Sequence, residues 1–232
     1  MNQHSIQEAY FKNFCVKGKL WAHDIKTKAT LHKPASWCTT EVDFQSEILD
    51  KIQNDTFESP GIKSIKNLLD GKTISLVEFD LIRYWTALHI IRSQKYRNEP
   101  NVNYKIDYAK MIETEMLFSH YFIHAHLCEY TDGKYFITSD NPIIEISIDN
   151  CLARVFTLSP TKLLLLAPID KKFSSTEIEF TELINTILWI NAFKYVFSDK
   201  RVLPISTYEE NIKKWDITSR YELKKYKIKN EN

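Results

Sequence analysis

The chain has 232 residues, of which 44% are hydrophobic and 26% are charged, a composition typical of a folded protein rather than a disordered or collagen-like one. Its 31 Lys and Arg residues against 30 Asp and Glu residues leave a net charge of +1, which argues against a strongly basic nucleic-acid coat and a polybasic membrane tether. Only 4 residues are Gly, and the absence of GxGxxG and GxxxxGKS/T motifs excludes Rossmann and P-loop phosphate sites.

Location and redox state are inferred from features that the sequence lacks. No apolar run approaches the roughly 18 residues of a membrane span, and residues 1–7 carry no apolar signal-peptide region. We therefore expect a cytoplasmic protein with no membrane partner. The four cysteines are widely spaced and form no CxxC pair, which is typical of reduced, structural thiols.

The organisation of the chain predicts a single α+β domain over 1–232, because the sequence has no internal repeat and no Pro- or Ser-rich linker. A β-hairpin is predicted around Gly18, where apolar and polar residues alternate on both sides. The predicted parts are this hairpin with extended chain, a block of four helices, a mostly antiparallel sheet with one C-terminal helix, and a basic tail, at 1–44, 45–120, 121–199 and 200–232.

The third helix of the block has the clearest signal. Ser75 and Glu78 form a capping box, and apolar residues then continue without a breaker to Ile91. Apolar residues lie on nearly every side of this helix, which predicts a central position. The four helices are expected at about 46–52, 59–71, 75–97 and 104–118.

From Tyr121 onward the pattern changes to period two, which predicts strands. An Asp-Gly turn at 132–133 predicts a hairpin between 122–130 and 135–138. The run 162–167 is apolar on both faces and is expected to be a central strand. Further strands are expected at 143–148, 153–158 and 195–197, a helix at 176–193, and a charged edge strand at 220–229.

A set of short motifs is spread over nearly the whole chain. Its members are His4, the Trp21-x-x-Asp24 segment, Arg92 at the end of the long helix, the Thr138-Ser139-Asp140-Asn141-Pro142 block and Leu158-Ser159-Pro160. Together they resemble the bacterial family described as domain of unknown function 4238, and the Thr-Ser-Asp-Asn-Pro block is the most specific of them. The resemblance implies an α+β domain and no particular activity.

The block from Thr138 to Pro142 directly follows a predicted strand, and Pro142 ends that strand because it has no amide hydrogen to donate. In one interpretation its polar side chains line a cleft in which Asp140 acts as a base or binds a metal. In the other, Asp140 and Asn141 accept hydrogen bonds from nearby amides and only shape the turn. Turn chemistry accounts for every residue type in the block, so we favour it.

A polar face is predicted on the long helix. Trp85, His89, Arg92 and Tyr96 follow one another at spacings of four, three and four, which places them on one side. Arg92 could bind a phosphate or carboxylate there, with His89 as proton carrier and the rings as stacking walls. Alternatively, Arg92 forms an internal ion pair with Asp140 or Asp24. Both interpretations stay open at this point.

Histidines near the start of the sheet offer a metal site as a further hypothesis. On a strand, His120, His124, His126 and Cys128 would share one face and provide ligands that suit zinc. No HExxH motif or Cys/His pair completes such a site. We favour structural histidines, assign no metal ligand and leave the cofactor unknown.

The leading functional prediction is an enzyme with a His/Arg/Asp cleft formed by His4, Arg92, Asp140 and Asn141. Arg92 would stabilise phosphoryl charge, His4 would transfer a proton, and Asp140 would orient the histidine or a metal. Such a cleft predicts a phosphodiesterase or nuclease-type hydrolase acting on RNA or a nucleotide, in a toxin or phage-defence setting. The predicted substrate contacts are Trp85, His89, Tyr96, Thr138 and Ser139.

The alternative prediction is a non-catalytic sensor or interaction module that works through its basic end. Residues 200–232 hold nine Lys and Arg residues against five acids, with aromatic residues interleaved. Basic groups can follow a nucleic-acid backbone while rings stack on bases. A solvated edge strand predicts the same pattern and is the interpretation we favour. The residues predicted to contact nucleic acid are Lys213, Lys214, Lys224, Lys225 and Lys227.

Overall fold

The computed structural model describes residues 2–4, 7–38, 40–42, 47–93, 104–130, 135–148, 151–168 and 178–214. Contacts divide the chain into two compact units. Unit 1 comprises Met1–Lys19 and Lys33–Tyr121, and unit 2 comprises Leu20–His32 and Phe122–Asn232. The single domain predicted from the sequence stays a prediction.

Unit 1 begins with short elements. Its first strand β1 (Asn2–His4) precedes helix α1 (Glu8–Phe11), which continues into a 3₁₀ turn at Lys12–Phe14. The hairpin predicted around Gly18 is wrong, because the residues before it are helical and only the single bridge between Val16 and Lys19 closes the turn. Gly18 has a φ of 78°, and Lys17 before it has 52°, as a tight two-residue turn requires.

Two adjacent strands follow this turn. They are β2 (Lys19–Asp24) and β3 (Thr30–Pro34), so a hairpin does form in this part of the chain, but one turn later than predicted. Helix α2 (Ala35–Cys38) and strand β4 (Thr40–Val42) come next. β4 pairs antiparallel with β1 and places Thr40 opposite His4.

The four predicted helices of the central block are confirmed. They are α3 (Glu47–Gln53), α4 (Ser59–Leu69), α5 (Leu76–Arg92) and α6 (Tyr104–Ser119), and a π-helical turn at Asn54–Glu58 joins the first two. The capping box of Ser75 and Glu78 is present at the start of α5. This helix ends at Arg92, where Ser93 is extended, which is earlier than predicted; residues 94–97 lie outside the described part.

Helices α4 and α5 pack closely at one glycine. A Cβ on Gly61 would lie 2.7 Å from the Cβ of Trp85 and 3.0 Å from the carbonyl oxygen of Leu81. Only a residue without a side chain fits between the two helices at this point. The close approach covers Trp85, which has 0% of its surface exposed.

Unit 2 contains the remaining strands of the described chain. In order they are β5 (His124–Glu129), β6 (Thr138–Ser139), β7 (Ile143–Ile148), β8 (Cys151–Thr157), β9 (Lys162–Ala167) and β10 (Tyr195–Ser198). One four-stranded sheet has the order β3-β2-β10-β6, and the other has the order β5-β9-β8-β7. The pairs β2–β10, β6–β10, β5–β9, β7–β8 and β8–β9 are all antiparallel.

The hairpin predicted between 122–130 and 135–138 is wrong. β5 pairs with β9, with Cys128 opposite Leu163, whereas β6 pairs with β10 in the other sheet. The Asp-Gly signal is local, but β9 is apolar on both faces and is covered by a strand on each edge, β5 and β8. The prediction that β9 is a central strand is therefore confirmed, and residues 131–134 lie outside the described part.

Two helices complete unit 2. The predicted helix is confirmed as α7 (Ile178–Asn191). Helix α8 (Ile205–Lys214) lies in the segment predicted only to be a basic tail. Tyr208 and Asn211 of α8 are buried at a helical spacing of three, and Tyr208 contacts the ring of Trp189. The edge strand predicted at 220–229 lies outside the described residues.

The α+β class is thus confirmed, with helices in both units and antiparallel sheets in unit 2. Within the described part of the chain, no helix is both long enough and apolar enough to cross a membrane.

Candidate functional site

Arg92, the predicted anion clamp, is completely buried at the end of α5, with 0% of its surface exposed. Its Nη1 forms an ion pair with the carboxylate of Glu58, and its Nη2 lies 3.5 Å from Oδ1 of Asp50. The Nη2 also donates to Oε1 of Gln53 at 2.6 Å, and the Nε donates to the hydroxyl of Tyr108 at 3.4 Å. All of these partners belong to unit 1.

The electrostatics of Arg92 follow from these contacts. Burial by itself lowers the pKa of the guanidinium, but the nearby Glu58, Tyr108 and Asp50 outweigh burial and raise the pKa above its ordinary value. Tyr108 also donates to Gln53 at 3.0 Å, so the polar groups around the arginine bond to one another. This geometry favours an internal ion pair, in which Glu58 on the π-helical turn is the partner that sequence reasoning missed.

Asp140, the predicted base, is held by the backbone of unit 2. Its Oδ1 accepts from the amide of Phe193 at 2.8 Å, and its Oδ2 accepts from the amides of Lys194 and Tyr195 at 2.7 and 2.8 Å. The amide of Asp140 donates in turn to the carbonyl of Tyr195 at 3.1 Å. One carboxylate therefore fastens the bend after β6 to the segment that joins α7 to β10.

The other members of the Thr-Ser-Asp-Asn-Pro block also have partners within unit 2. Thr138 and Ser139 are fully buried in β6, and the Oγ of Ser139 accepts from the amide of Asn141 at 3.1 Å. The side-chain amide of Asn141 donates to the carbonyl of Asn191, and the side chain of Asn191 donates back to the carbonyl of Asn141, both at 3.3 Å. These contacts favour the turn-chemistry interpretation.

The predicted substrate contacts on α5 lie in the interior of unit 1. The rings of Trp85 and His89 meet at 4.1 Å, which confirms that the two residues share a face. The Nε1 of Trp85 donates to Oε1 of Gln7 at 3.2 Å, and both rings are buried. Tyr96 lies outside the described residues, and of His4 only the backbone position in β1 is described.

The proposed histidine face is not formed as predicted, because His120 lies in the turn after α6 and not on the strand. His124 and His126 are on β5, with ring centroids 6.4 Å apart. Burial raises the pKa of the Cys128 thiol to about 11, so it is a poor source of thiolate. Among the residues that the structure describes, no group of three or more His, Cys, Asp and Glu side chains is arranged to hold a metal.

The basic tail is described only in part. Lys213 is exposed at the end of α8, and Lys214 is the last residue of that helix. The predicted contacts Lys224, Lys225 and Lys227 lie outside the described residues.

Unit 2 carries a group of lysines that sequence reasoning missed, which we call the Lys26 group. The ammonium of Lys26 lies 5.9 Å from the ring of Phe193, that of Lys28 lies 5.2 Å from Trp189, and that of Lys194 lies 4.8 Å from Tyr195. All three lysines are exposed. They lie where β2 turns towards β3 and where β10 begins, since Tyr195 pairs with Asp24.

A second group, the Arg201 group, lies beyond the other end of β10. The Nζ of Lys200 lies 6.0 Å from the ring of Tyr135, and the guanidinium carbon of Arg201 lies 5.7 Å from the ring of Trp21. Trp21 stacks on the exposed ring of His32, with centroids 4.3 Å apart and planes at 18°. The four residues of β10 separate this group from the Lys26 group.

The acidic residues near these groups are engaged in different ways. The Oδ1 of Asp24 accepts from the amides of Lys26 and Thr27 at 2.9 and 2.8 Å, and hydrogen bonds from Thr27 and Lys26 lower the pKa of this carboxyl. Glu209 forms an ion pair with Lys28 at 2.9 Å, and Asp199 lies 3.4 Å from the Nζ of Lys200. Two of the five basic side chains thus have an acidic partner on the surface.

The local signals for these groups were present in the sequence but weak. Lys26 and Lys28 follow the Trp21-x-x-Asp24 segment, and Lys194 lies between two aromatic residues. The antiparallel pairing of β2 with β10, which brings them together, joins parts of the chain that are far apart in sequence.

Comparisons with models of known protein families, with curated proteins and with solved structures returned no match. The resemblance to the family described as domain of unknown function 4238 stays a prediction.

Proposed function

We propose that this chain is a non-catalytic module that binds single-stranded nucleic acid through unit 2. The observation that carries the proposal is the pairing of five exposed basic side chains with five aromatic rings at the two ends of β10. Their arrangement has the composition of a single-strand binding surface, where cations follow the backbone and rings stack on bases.

The two groups have different roles in this proposal. The Lys26 group supplies charge, because its ammonium groups are exposed and its rings are largely covered. The Arg201 group supplies stacking, because Trp21 is half-buried, His32 is exposed, and their rings are already parallel. A base placed on the free face of His32 would extend this stack. Base stacking of this kind contributes about 1–3 kcal/mol per base and tolerates any sequence.

The contacts of Arg92 and Asp140 support a module in preference to an enzyme. A group that stabilises a developing phosphoryl charge must reach the substrate, but Arg92 is completely buried against Glu58. Both oxygens of Asp140 accept backbone hydrogen bonds, so a structural role accounts for this carboxylate without a general-base role. These two residues therefore have structural work that accounts for them.

Binding is tested with a fluorescently labelled single-stranded oligouridylate, by measuring anisotropy across a series of salt concentrations. We expect log K to fall linearly with log salt, with a slope of about 0.7 for each phosphate contacted. Removing two lysines in the double variant Lys26→Ala/Lys194→Ala should lower this slope by about 1.4. Replacing the stacking ring in Trp21→Ala should weaken binding by about 1–3 kcal/mol at every salt concentration.

The matched control is the double variant Lys63→Ala/Lys66→Ala, which removes two exposed lysines from α4 of unit 1. It should leave both the affinity and the slope unchanged. Absence of binding at low salt, or an equal loss in the control, would overturn the proposal. The same RNA is incubated with and without Mg²⁺ and resolved on a gel, because cleavage would support the nuclease hypothesis instead.

A further inference from the structure

Unit 1 carries a row of hydrogen-bonded polar side chains that belongs neither to the predicted cleft nor to the proposed binding surface. Asp80, Arg83 and Tyr84 lie on one face of α5, at spacings of three and four. Arg83 forms an ion pair with Asp80, and its Nη2 lies 3.2 Å from Nδ1 of His120. The hydroxyl of Tyr84 lies 3.0 Å from Nε2 of the same histidine.

The donors and acceptors in this row of side chains have a definite order. A guanidinium has five hydrogens to donate and no acceptor atom, so Nδ1 of His120 must accept from Arg83 through its lone pair. The neutral imidazole then carries its hydrogen on Nε2 and donates it to the oxygen of Tyr84. Because this oxygen accepts from His120, the phenolic hydrogen of Tyr84 is directed to a different acceptor.

Neighbouring aromatic rings hold this row of side chains in place. The guanidinium carbon of Arg83 lies 4.9 Å from the ring of Phe79, and its side chain is only 9% exposed. Phe57 packs edge-on against the ring of Tyr84 at 5.8 Å. At the surface end, His120 is exposed and Tyr84 is half-buried. The terminal donor of the row, the Tyr84 hydroxyl, is thus oriented before any ligand arrives, which reduces the entropy lost on binding.

We propose that Asp80, Arg83, His120 and Tyr84 form a relay of hydrogen bonds whose terminal hydroxyl, on Tyr84, binds an oxyanion. Asp80 orients the guanidinium, Arg83 sets the tautomer of His120, and His120 polarises the phenol. Each donor in such a row strengthens the next. The ligand is a carboxylate or a phosphate, since both present the charged oxygen that this donor requires.

The charges of the site make the proposal specific. The formal charges of Asp80 and Arg83 cancel, and His120 is neutral in the arrangement described, so recognition depends on a directed hydrogen bond more than on net charge. Binding should therefore respond weakly to added salt. The phosphate contacts proposed for unit 2 should respond strongly, which separates the two proposals experimentally.

The test uses nitrogen NMR of the His120 ring in the full chain at neutral pH. The free protein should show hydrogen on Nε2 and an unprotonated Nδ1. Inorganic phosphate and acetate are then titrated separately at constant ionic strength. We expect a saturable change of the His120 signals with at least one ion, and the ion that saturates at the lower concentration identifies the class of ligand.

Two variants complete the experiment. Tyr84→Phe removes only the terminal hydroxyl and should raise the apparent Kd at least about tenfold, which corresponds to one hydrogen bond to a charged group. Tyr121→Phe removes the hydroxyl of an exposed tyrosine in the turn next to His120 and should bind like the wild type. A ring with its hydrogen on Nδ1 in the wild type, no saturation with either ion, or equal affinities in the two variants would overturn the proposal.

Discussion

The two charged residues at the centre of the predicted cleft, Arg92 in unit 1 and Asp140 in unit 2, are neutralised by different means. Arg92 is completely buried and relies on opposite charge, from Glu58 and Asp50. Asp140 is half-buried and relies on three successive backbone amides, at Phe193–Tyr195. Residue types that indicate a cleft in the sequence can therefore serve to hold a fold together.

The largest expected effect comes from removing the buried cation. In Arg92→Met, Glu58 remains buried without its partner, and an uncompensated buried charge costs about 3–5 kcal/mol. Urea unfolding should show this loss. The double variant Arg92→Met/Glu58→Gln should be more stable than the sum of the single losses predicts. Arg201→Met, which changes an exposed arginine of unit 2, is the control and should stay within about 0.5 kcal/mol of the wild type.

Removing the anion tests the other half of the comparison. In Asp140→Ala, three amides lose a charged acceptor, but water reaches this half-buried site and replaces part of the interaction. We expect a loss of roughly 2–3 kcal/mol, the size of one hydrogen bond to a charged group. Asp70→Asn changes an exposed aspartate that lies 3.5 Å from Lys72 and should cost less than about 1 kcal/mol. A loss in Asp140→Ala as small as that in the control would contradict a fastening role.

A smaller effect is expected where a polar side chain caps a helix. In Ser75→Ala, the amide of Glu78 loses the hydroxyl that it donates to at 3.2 Å. Replacing an N-cap serine costs about 1 kcal/mol. Thermal unfolding should show a modest fall in Tm, and Ser75→Thr should restore it, because the threonine hydroxyl both accepts from the Glu78 amide and donates to the Glu78 carboxylate. Equal Tm values for the alanine and threonine variants would show that the cap contributes nothing.

The smallest expected effect on stability appears only at acidic pH. Amide hydrogen bonds from Thr27 and Lys26 lower the pKa of Asp24 in the folded state. A depressed carboxyl pKa stabilises the fold above the ordinary value of about 3.9, and this stabilisation is lost as the pH falls through the folded pKa. The stability of Asp24→Asn should therefore decline less than that of the wild type below about pH 4. The raised pKa of Arg92 keeps its guanidinium charged over the same range.

Local signals predicted much of the fold. The helices were found because the start of α5 is a capping box and its apolar run has no breaker, features that neighbouring residues determine alone. The Asp-Gly hairpin failed because strand pairing is not local: β5 reaches β9 and β6 reaches β10, each across a long stretch of sequence. The turn at Gly18 was located correctly. The alternation of apolar and polar residues before Gly18, however, did not distinguish a strand from the short helix that lies there.

The candidate site was predicted less completely for the same reason. Spacing on α5 correctly placed Trp85 and His89 on one face, but spacing carries no information about burial. The partner of Arg92 lies on a π-helical turn, and the sequence pattern of residues 54–58 does not predict such a turn. The basic groups of unit 2 needed the pairing of β2 with β10, and no local pattern connects Lys26 to Phe193.

The pairing of β2 with β10 also means that β2 is synthesised long before its partner strand. Asp24 is opposite Tyr195, so 171 residues must be added after Asp24 is synthesised before its partner exists. At 5–20 residues per second this is a delay of roughly 10–30 s. During that interval β2 can pair with β3 alone, and one of its edges is open to other chains. Nascent copies of this protein are therefore exposed to aggregation at this edge until β10 is made, and slower elongation anywhere between β2 and β10 would lengthen the exposure.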